Sequence, residues 1–234
     1  MTGQTAVVFG ATGGIGSAVA DALETGSRFE RVIRFSRSGD SPVPVDLTSE
    51  ASIAKAATWM QGEGILPSLI FVATGLLHDG ERGPEKSLRQ LDADWLMLNY
   101  QVNAVGPALI AKYFLPLMNR NQTIRFAALS ARVGSISDNR LGGWHGYRAS
   151  KAALNMMIRN LSIEWLRKND KSIIVALHPG TVDTMLSQPF QSNVPAGKLF
   201  DSDRAARQLL DVLDGLKPAQ SGKIFAWDGA EILP

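Results

Sequence analysis

The sequence predicts an α/β fold, a doubly wound parallel sheet of about seven strands with helices on both faces, in a single domain over residues 1–234. Three observations carry that expectation. Short continuous apolar runs alternate with longer runs of helical period along the whole chain. A glycine-rich turn joins the first strand to the first helix. Residues able to do chemistry fall at strand ends or on the following helices, where open α/β sheets bind ligands.

Composition sets outer limits. A chain of 234 residues, 45% apolar and 20% charged, can bury a full core. Its net charge of +2 calls for no nucleic-acid partner. There are no cysteines, which excludes disulfides, thiol catalysis and cysteine-ligated zinc, and the three histidines (His78, His145, His178) show no metal-ligand spacing. No apolar run approaches the ~20 residues a membrane helix needs, and the first residues lack a signal-peptide pattern. A cytoplasmic protein without membrane or metal partners is expected.

Thr5–Phe9 reads as a buried strand. It leads into Gly10-Ala11-Thr12-Gly13-Gly14-Ile15-Gly16 and a helix with the stripe Ile15, Ala18, Val19, Ala22 and Leu23. Strand, glycine turn and helix form a phosphate-binding context. Gly10 allows the tight turn, Gly14 lets backbone approach a pyrophosphate, and Gly16 allows close helix–strand contact beside free helical N–H groups. Arg31–Phe35 is a second strand ending at Ser36-Arg37-Ser38. A ribose-binding acid for NAD is absent at that strand end, and Arg37 there favours the 2′-phosphate of NADP, with NAD(H) as the alternative cofactor.

Val43-Pro44-Val45 suggests a short edge strand, because Pro44 costs a ladder bond at the centre of a sheet. A helix follows over about 48–60, capped by Thr48 or Ser49. Ser68–Val72 is the next strand and ends in Ala73-Thr74-Gly75. From Leu76 to about Leu91 the chain reads as a loop in which His78 is solvated. A long helical run over about 94–118 contains Asn103 and Pro107, and Pro107 has no N–H for the Asn103 carbonyl, leaving that oxygen for water.

Thr123–Leu129 is a fifth strand, ending at Ser130-Ala131. A Ser-, Asn- and Gly-rich loop carrying Trp144 and His145 then enters a helix with Tyr147 and Lys151 one turn apart on one face. In a pocket, the ammonium would make the phenol a stronger acid. Work at neutral pH needs a shift of roughly 2–3 units from the free value near 10, or about 3–4 kcal/mol. The helix is apolar nearly all round, with Leu154, Ile158 and Leu161 on one stripe and Met156 and Met157 on other sides. One face is assigned to the sheet and the other to a partner subunit, predicting a dimer or tetramer. Ser172–Leu177 is the sixth strand, ending at His178-Pro179-Gly180-Thr181; a helix over 203–216 with Ser202 as N-cap and a strand over 223–226 close the chain.

Taken together, these residues resemble the short-chain dehydrogenase/reductase family over nearly the whole length, and within it the C-factor and sniffer-type carbonyl reductases. The resemblance implies a Rossmann-type domain in which Gly10, Gly14 and Gly16 form the cofactor loop and Asp46 contacts the adenine. It implies a catalytic set of Asn103, Tyr147 and Lys151, with Pro179, Gly180 and Thr184 against the nicotinamide. Candidate cofactor contacts are therefore Gly10, Thr12, Gly13, Gly14, Ile15, Gly16, Ser36, Arg37, Asp46, Leu47, Ala73, Thr74, Gly75, Asn103, Tyr147, Lys151, Pro179, Gly180, Val182 and Thr184. The implied reaction is hydride transfer between NADP(H) and a small carbonyl or alcohol, with Tyr147 as acid/base. Two departures stand out. The family's Asn-Asn-Ala-Gly reads Val72-Ala73-Thr74-Gly75, and its catalytic serine falls on Ala131, so that Ser130 is expected to substitute. A signalling role with little turnover is the competing expectation. A serine hydrolase lacks its Gly-x-Ser-x-Gly elbow.

Overall fold

A computed structural model describes residues 4–39 and 41–234. In chain order the elements are β1 (Gln4–Phe9), α1 (Gly14–Thr25), β2 (Phe29–Phe35), α2 (Glu50–Gly62), β3 (Pro67–Val72), α3 (Ala93–Tyr100), α4 (Gly106–Phe114), β4 (Arg125–Leu129), α5 (His145–Leu166), β5 (Ile173–His178), β6 (Thr181–Val182), β7 (Leu199–Phe200), α6 (Ser202–Gly215), β8 (Ile224–Ala226) and β9 (Glu231–Ile232). A seven-stranded sheet runs β2-β1-β3-β4-β5-β8-β9. Its first six strands are parallel, and β9 pairs antiparallel with β8. The doubly wound α/β expectation is met.

The central strands read as unbroken apolar runs because both of their faces are covered. Alternate residues enter two cores. Val7, Ile70, Phe126 and Ile174 meet α2, α4 and α5 through Met60, Phe114 and Leu154. Val8, Phe71, Ala127 and Val175 meet α1 and α6 through Val19, Leu23 and Leu209. The chain turns back at β1, which has β2 on one side and β3 on the other, and this opens a crevice at the strand C-termini.

Several local expectations are corrected. Val43–Val45 forms no strand: Pro44 offers no N–H, and a Val45 N–H bond of 2.8 Å to the Ser36 carbonyl is what ties the segment to the end of β2. The cap expected at Thr48 or Ser49 for the helix at 50–62 is Ser49, whose side chain accepts from the Ser52 N–H. The long run at 94–118 is divided. A π turn over Gln101–Val105 separates α3 from α4, with the Gly106 N–H reaching the Gln101 carbonyl five residues back. The capping residue of α6 is Asp201, which accepts from the Arg204 N–H, so Ser202 is already helical. The two-residue strands β6, β7 and β9 are too short to leave a period in the sequence. On α5, Leu154 and Ile158 are buried against the sheet, while Met156 and Met157 are 61% and 40% exposed.

Candidate active site

Sequence dictates the first wall of the crevice through three glycines. Gly10 takes φ 79°, a left-handed conformation open to glycine at little cost, and turns the chain out of β1. A Cβ on Gly16 would lie 2.1 Å from the Gly10 carbonyl oxygen, so α1 seats directly on the turn. Gly13 is the N-cap of α1 and provides no side-chain cap, leaving first-turn N–H groups for a ligand. A Cβ on Gly14 would meet Thr184 Cγ2 at 2.8 Å, which brings the segment after β6 over the loop. Thr12, Gly13, Gly14 and Ile15 line one side of a cavity of about 450 Å³. Ala73, Thr74 and Gly75 line another side, and Tyr147, Lys151, Pro179 and Thr184 close it.

The α5 pair is carried into this cavity from the opposite wall. Tyr147 is buried, and Lys151 beneath it donates from Nζ to the Leu129 carbonyl at 2.8 Å. Nζ sits 5.7 Å from the centre of the Tyr147 ring. Asn103 has no exposed surface. Its amide donates to the Leu76 carbonyl and its Oδ1 accepts from the Leu76 N–H, both at 2.8 Å. The same amide donates to Ser150 Oγ at 3.0 Å, and Ser150 donates in turn to the Tyr147 carbonyl at 2.8 Å. A Cβ on Gly75 would stand 3.7 Å from Asn103 Oδ1 and 3.8 Å from Lys151 Nζ, which places the three groups around one point. Burial pushes the Tyr147 phenol up to about 12 and the Lys151 ammonium down to about 7. Desolvation outweighs any pull of the ammonium on the phenol, against the expectation that Lys151 makes Tyr147 a stronger acid.

The far side of the crevice holds Ser36, Arg37, Asp46 and Leu47. Arg37 is exposed at the end of β2. Asp46 accepts from the Thr48 backbone N–H at 2.9 Å and the Thr48 hydroxyl at 2.8 Å, which hold its carboxyl below the usual range, with Arg37 adding a smaller pull. Ser36 is buried, and its hydroxyl donates to the Ser38 carbonyl. Leu47 packs under Gly106, where a Cβ would come within 2.8 Å of it.

A family model described as enoyl-(acyl carrier protein) reductase matches residues 10–214. The chain belongs to the short-chain dehydrogenase/reductase family. It is thereby an NAD(P)-dependent oxidoreductase. It is 34% identical to the C-signal of Myxococcus xanthus over 146 residues, which are 62% of this chain and 82% of that protein. It is 31% identical to a 1-hydroxy-2-glutathionyl-2-methyl-3-butene dehydrogenase of Rhodococcus sp. strain AD45 over 185 residues, 79% of this chain and 76% of the relative. Among solved structures, the NADPH-bound carbonyl reductase from chicken fatty liver covers 100% of both chains with a TM-score of 0.86 at 25% identity. The carbonyl reductase Sniffer of D. melanogaster superposes with a TM-score of 0.85 at 20% identity, again over 100% of both chains.

Against the short-chain dehydrogenase/reductase pattern, one expectation needs correcting. Ser130 is buried beside Tyr147, but its hydroxyl donates to Asn155 Oδ1 at 2.7 Å, two turns along α5 from Tyr147. Its single proton is committed there, so in this arrangement it does not supply the donor missing at Ala131. Thr74, standing where the family has alanine and next to the two positions where it has asparagine, keeps an enclosed Oγ1 with no hydrogen-bond partner among the described residues. Two contributors lie outside what local sequence signals. Glu85, in the loop read as unstructured, is buried; its Oε2 accepts from the Gly146 N–H at 3.0 Å and its carbonyl from the Trp144 N–H at 2.5 Å, tying down the start of α5. His78, expected in solvent, donates from Nε2 to the Met185 carbonyl at 3.1 Å and packs on Phe190. No periodicity or motif announces either contact.

Proposed function

We propose that this chain transfers hydride between NADP(H) and a small carbonyl or alcohol, with Tyr147 as acid/base, within one domain that holds both cofactor and substrate. The observation that carries the reading is the convergence of Tyr147 and Lys151 on the cavity that the uncapped N-terminus of α1 also lines, with Asn103 buried behind Gly75 of its wall. The residues fit a dinucleotide. The glycine turn leaves bare N–H groups for a pyrophosphate, and the enclosed Thr74 Oγ1 is a polar atom without a partner in the cavity wall. Gly10, Thr12, Gly13, Gly14, Ile15 and Gly16 would hold the phosphates, Ser36, Arg37, Asp46 and Leu47 the adenosine end, and Ala73–Gly75, Pro179, Gly180, Val182 and Thr184 the nicotinamide end.

A bound nicotinamide would supply the hydride chemistry at the carbonyl carbon. Tyr147 Oη gives its proton to the carbonyl oxygen in reduction and recovers one from water. Lys151 orients the ribose and passes the proton. Water on the Asn103 carbonyl, which Pro107 leaves without an N–H donor, would link Lys151 to solvent.

Arg37 supports the choice of NADPH, as does the NADPH-bound chicken enzyme. A charge-assisted bond or two to the 2′-phosphate is worth roughly 1.5–3 kcal/mol. NADPH should therefore bind about tenfold or more tightly than NADH by intrinsic fluorescence titration, and Arg37→Ala should erase the difference. Equal affinities in the unaltered protein would refute the assignment. Oxidation of NADPH with a panel of aldehydes and ketones tests the activity itself. The similarity to a C-signal and the alanine at 131 favour a second reading, a signalling protein with little turnover, and absence of turnover across the panel would select it.

The exposed methionines of α5 support self-association into a dimer or tetramer. Sedimentation at micromolar concentration is expected to give a multiple of the chain mass; a monomeric mass there would rule this out. We place the protein in the cytoplasm, with no nucleic-acid or membrane partner. Among the described residues no helix is long and apolar enough to cross a membrane.

A further inference from the structure

Next to the dinucleotide crevice lies a second cavity of about 230 Å³ that shares Tyr147, Ser130 and Thr184 with it. Its lining is mainly apolar, with Leu77, Trp144, Leu186 and Phe190 among the residues that form it, so a carbonyl compound reaching Tyr147 would place its body here. As negative charge builds on the carbonyl oxygen during hydride transfer, a second donor beside the tyrosine lowers the barrier. Ala131 has no hydroxyl. Of the hydroxyls in this wall other than those of Tyr147 and Thr181, each faces a protein acceptor: Ser130 donates to Asn155, Thr184 to the Val182 carbonyl at 3.5 Å, and Ser187 to the Thr184 carbonyl at 3.2 Å.

His178 also lines this cavity. It ends β5, one residue beyond Leu177, whose carbonyl accepts the Ser130 N–H at 2.8 Å, so it stands level with Ser130 on the adjacent strand. Ala176 and Ala128, two residues earlier on each strand, lie in the core facing α5. Strand alternation therefore turns His178 toward the helix that carries Tyr147. Its Nδ1 is enclosed and has no hydrogen-bond partner among the described residues. The ring edge carrying Nε2 is then the one that meets the cavity. An enclosed N–H without an acceptor is a rarer and costlier defect than an unused lone pair, so the proton belongs on Nε2.

We infer that His178 is a further catalytic residue, whose Nε2–H donates to the substrate carbonyl oxygen beside Tyr147 and fills the role left open by Ala131. The inference rests on the reading of the site as a carbonyl reductase. The proton that ends on oxygen comes from Tyr147, the hydride goes to carbon, and His178 lends a hydrogen bond while keeping its own proton. The ring stays neutral throughout the physiological range. Burial, with repulsion from Arg132, pushes its pKa down to about 4 against the opposing pull of Asp228.

The test compares His178→Leu, which removes the donor, with His178→Gln, whose amide restores an N–H near the Nε2 position, using the best substrate of the carbonyl panel and NADPH. His178→Leu should lower kcat/KM about 10- to 100-fold with NADPH affinity unchanged. His178→Gln should fall by no more than a few-fold, and Ala131→Ser in the His178→Leu background should recover at least fivefold. A folded His178→Leu protein with unchanged kcat/KM, or equal losses in the Leu and Gln variants without rescue by Ala131→Ser, would overturn the inference. If the unaltered protein turns over no carbonyl compound, the reductase reading fails by itself. Nitrogen NMR of the ring in the NADPH-loaded protein then decides for His178. An Nε2–H tautomer whose signal moves on adding benzaldehyde supports the donor assignment, and an Nδ1–H tautomer or an unmoved signal refutes it.

Discussion

Tyr147→Phe is expected to lower turnover of the best carbonyl substrate at least ~10²-fold while NADPH affinity stays nearly the same. The two readouts separate because the phenol oxygen and the ring do different work. The ring is buried beside Trp144, with centroids 6.3 Å apart, and phenylalanine preserves that packing. What disappears is the one hydroxyl on α5 that opens on both cavities. Burial holds the phenol pKa near 12, so it remains protonated across the working range and serves as the acid in reduction. Lys151 and Asn103 stay in place, because their bonds run to the Leu129 and Leu76 backbone and to Ser150, none of which touches the phenol oxygen. Retention of most activity by Tyr147→Phe, measured as NADPH oxidation, would place the acid elsewhere.

Gly16→Ala should be nearly as damaging for a different reason. Its Cβ would sit 2.1 Å from the Gly10 oxygen and 2.8 Å from the Gly10 carbonyl carbon, and both neighbours are backbone atoms that no rotamer change can move. Relief requires α1 to lift off the turn, at an overpacking cost of about 1–3 kcal/mol and with the N–H cradle pulled out of shape. NADPH affinity should fall at least ~10²-fold, together with a lower urea midpoint. Gly62→Ala is the control: no atom lies within 4 Å of the added methyl and its φ is ordinary, so it should leave binding untouched and stability equal or slightly raised. Normal NADPH binding by Gly16→Ala would mean that the close helix–turn contact is not what shapes the cradle.

Much of this arrangement was legible in the sequence because its signals are local. The glycine spacing at 10, 14 and 16 specifies a turn whose geometry only small residues can fill, and Tyr147 and Lys151 declare a shared helix face by their separation. Pro107 likewise marked a disturbed helix, and the structure places a π turn just before it. The misreadings have long-range or competing causes. Glu85 lies 61 residues from the Gly146 N–H it receives, and His78 lies 107 residues from its Met185 acceptor, distances over which periodicity carries no information. Ser130 looked free to serve as a donor because nothing local predicts that Asn155, 25 residues on, will take its proton. Lys151 was expected to acidify the phenol. Burial of both groups wins, since removing either charge from water outweighs their mutual influence.

The two-residue strands β6 and β7 have a consequence larger than their size. They pair Thr181 with Leu199 and Val182 with Phe200, and the Asp183 N–H adds a bond of 2.8 Å to the Phe200 carbonyl. Residues 184–198, including Met185, Leu186 and Phe190 of the cavity walls, thus hang from a clamp. Bringing the ends of a free loop of this length together costs roughly 2–3 kcal/mol of chain entropy, and doubling its length adds only about 0.6 kcal/mol. The clamp fixes those ends whatever lies between them. Beyond Thr184, which stays over Gly14, the span is therefore an exchangeable cassette: its length and side chains can be rewritten to admit a different carbonyl compound while the sheet and the glycine turn keep their places.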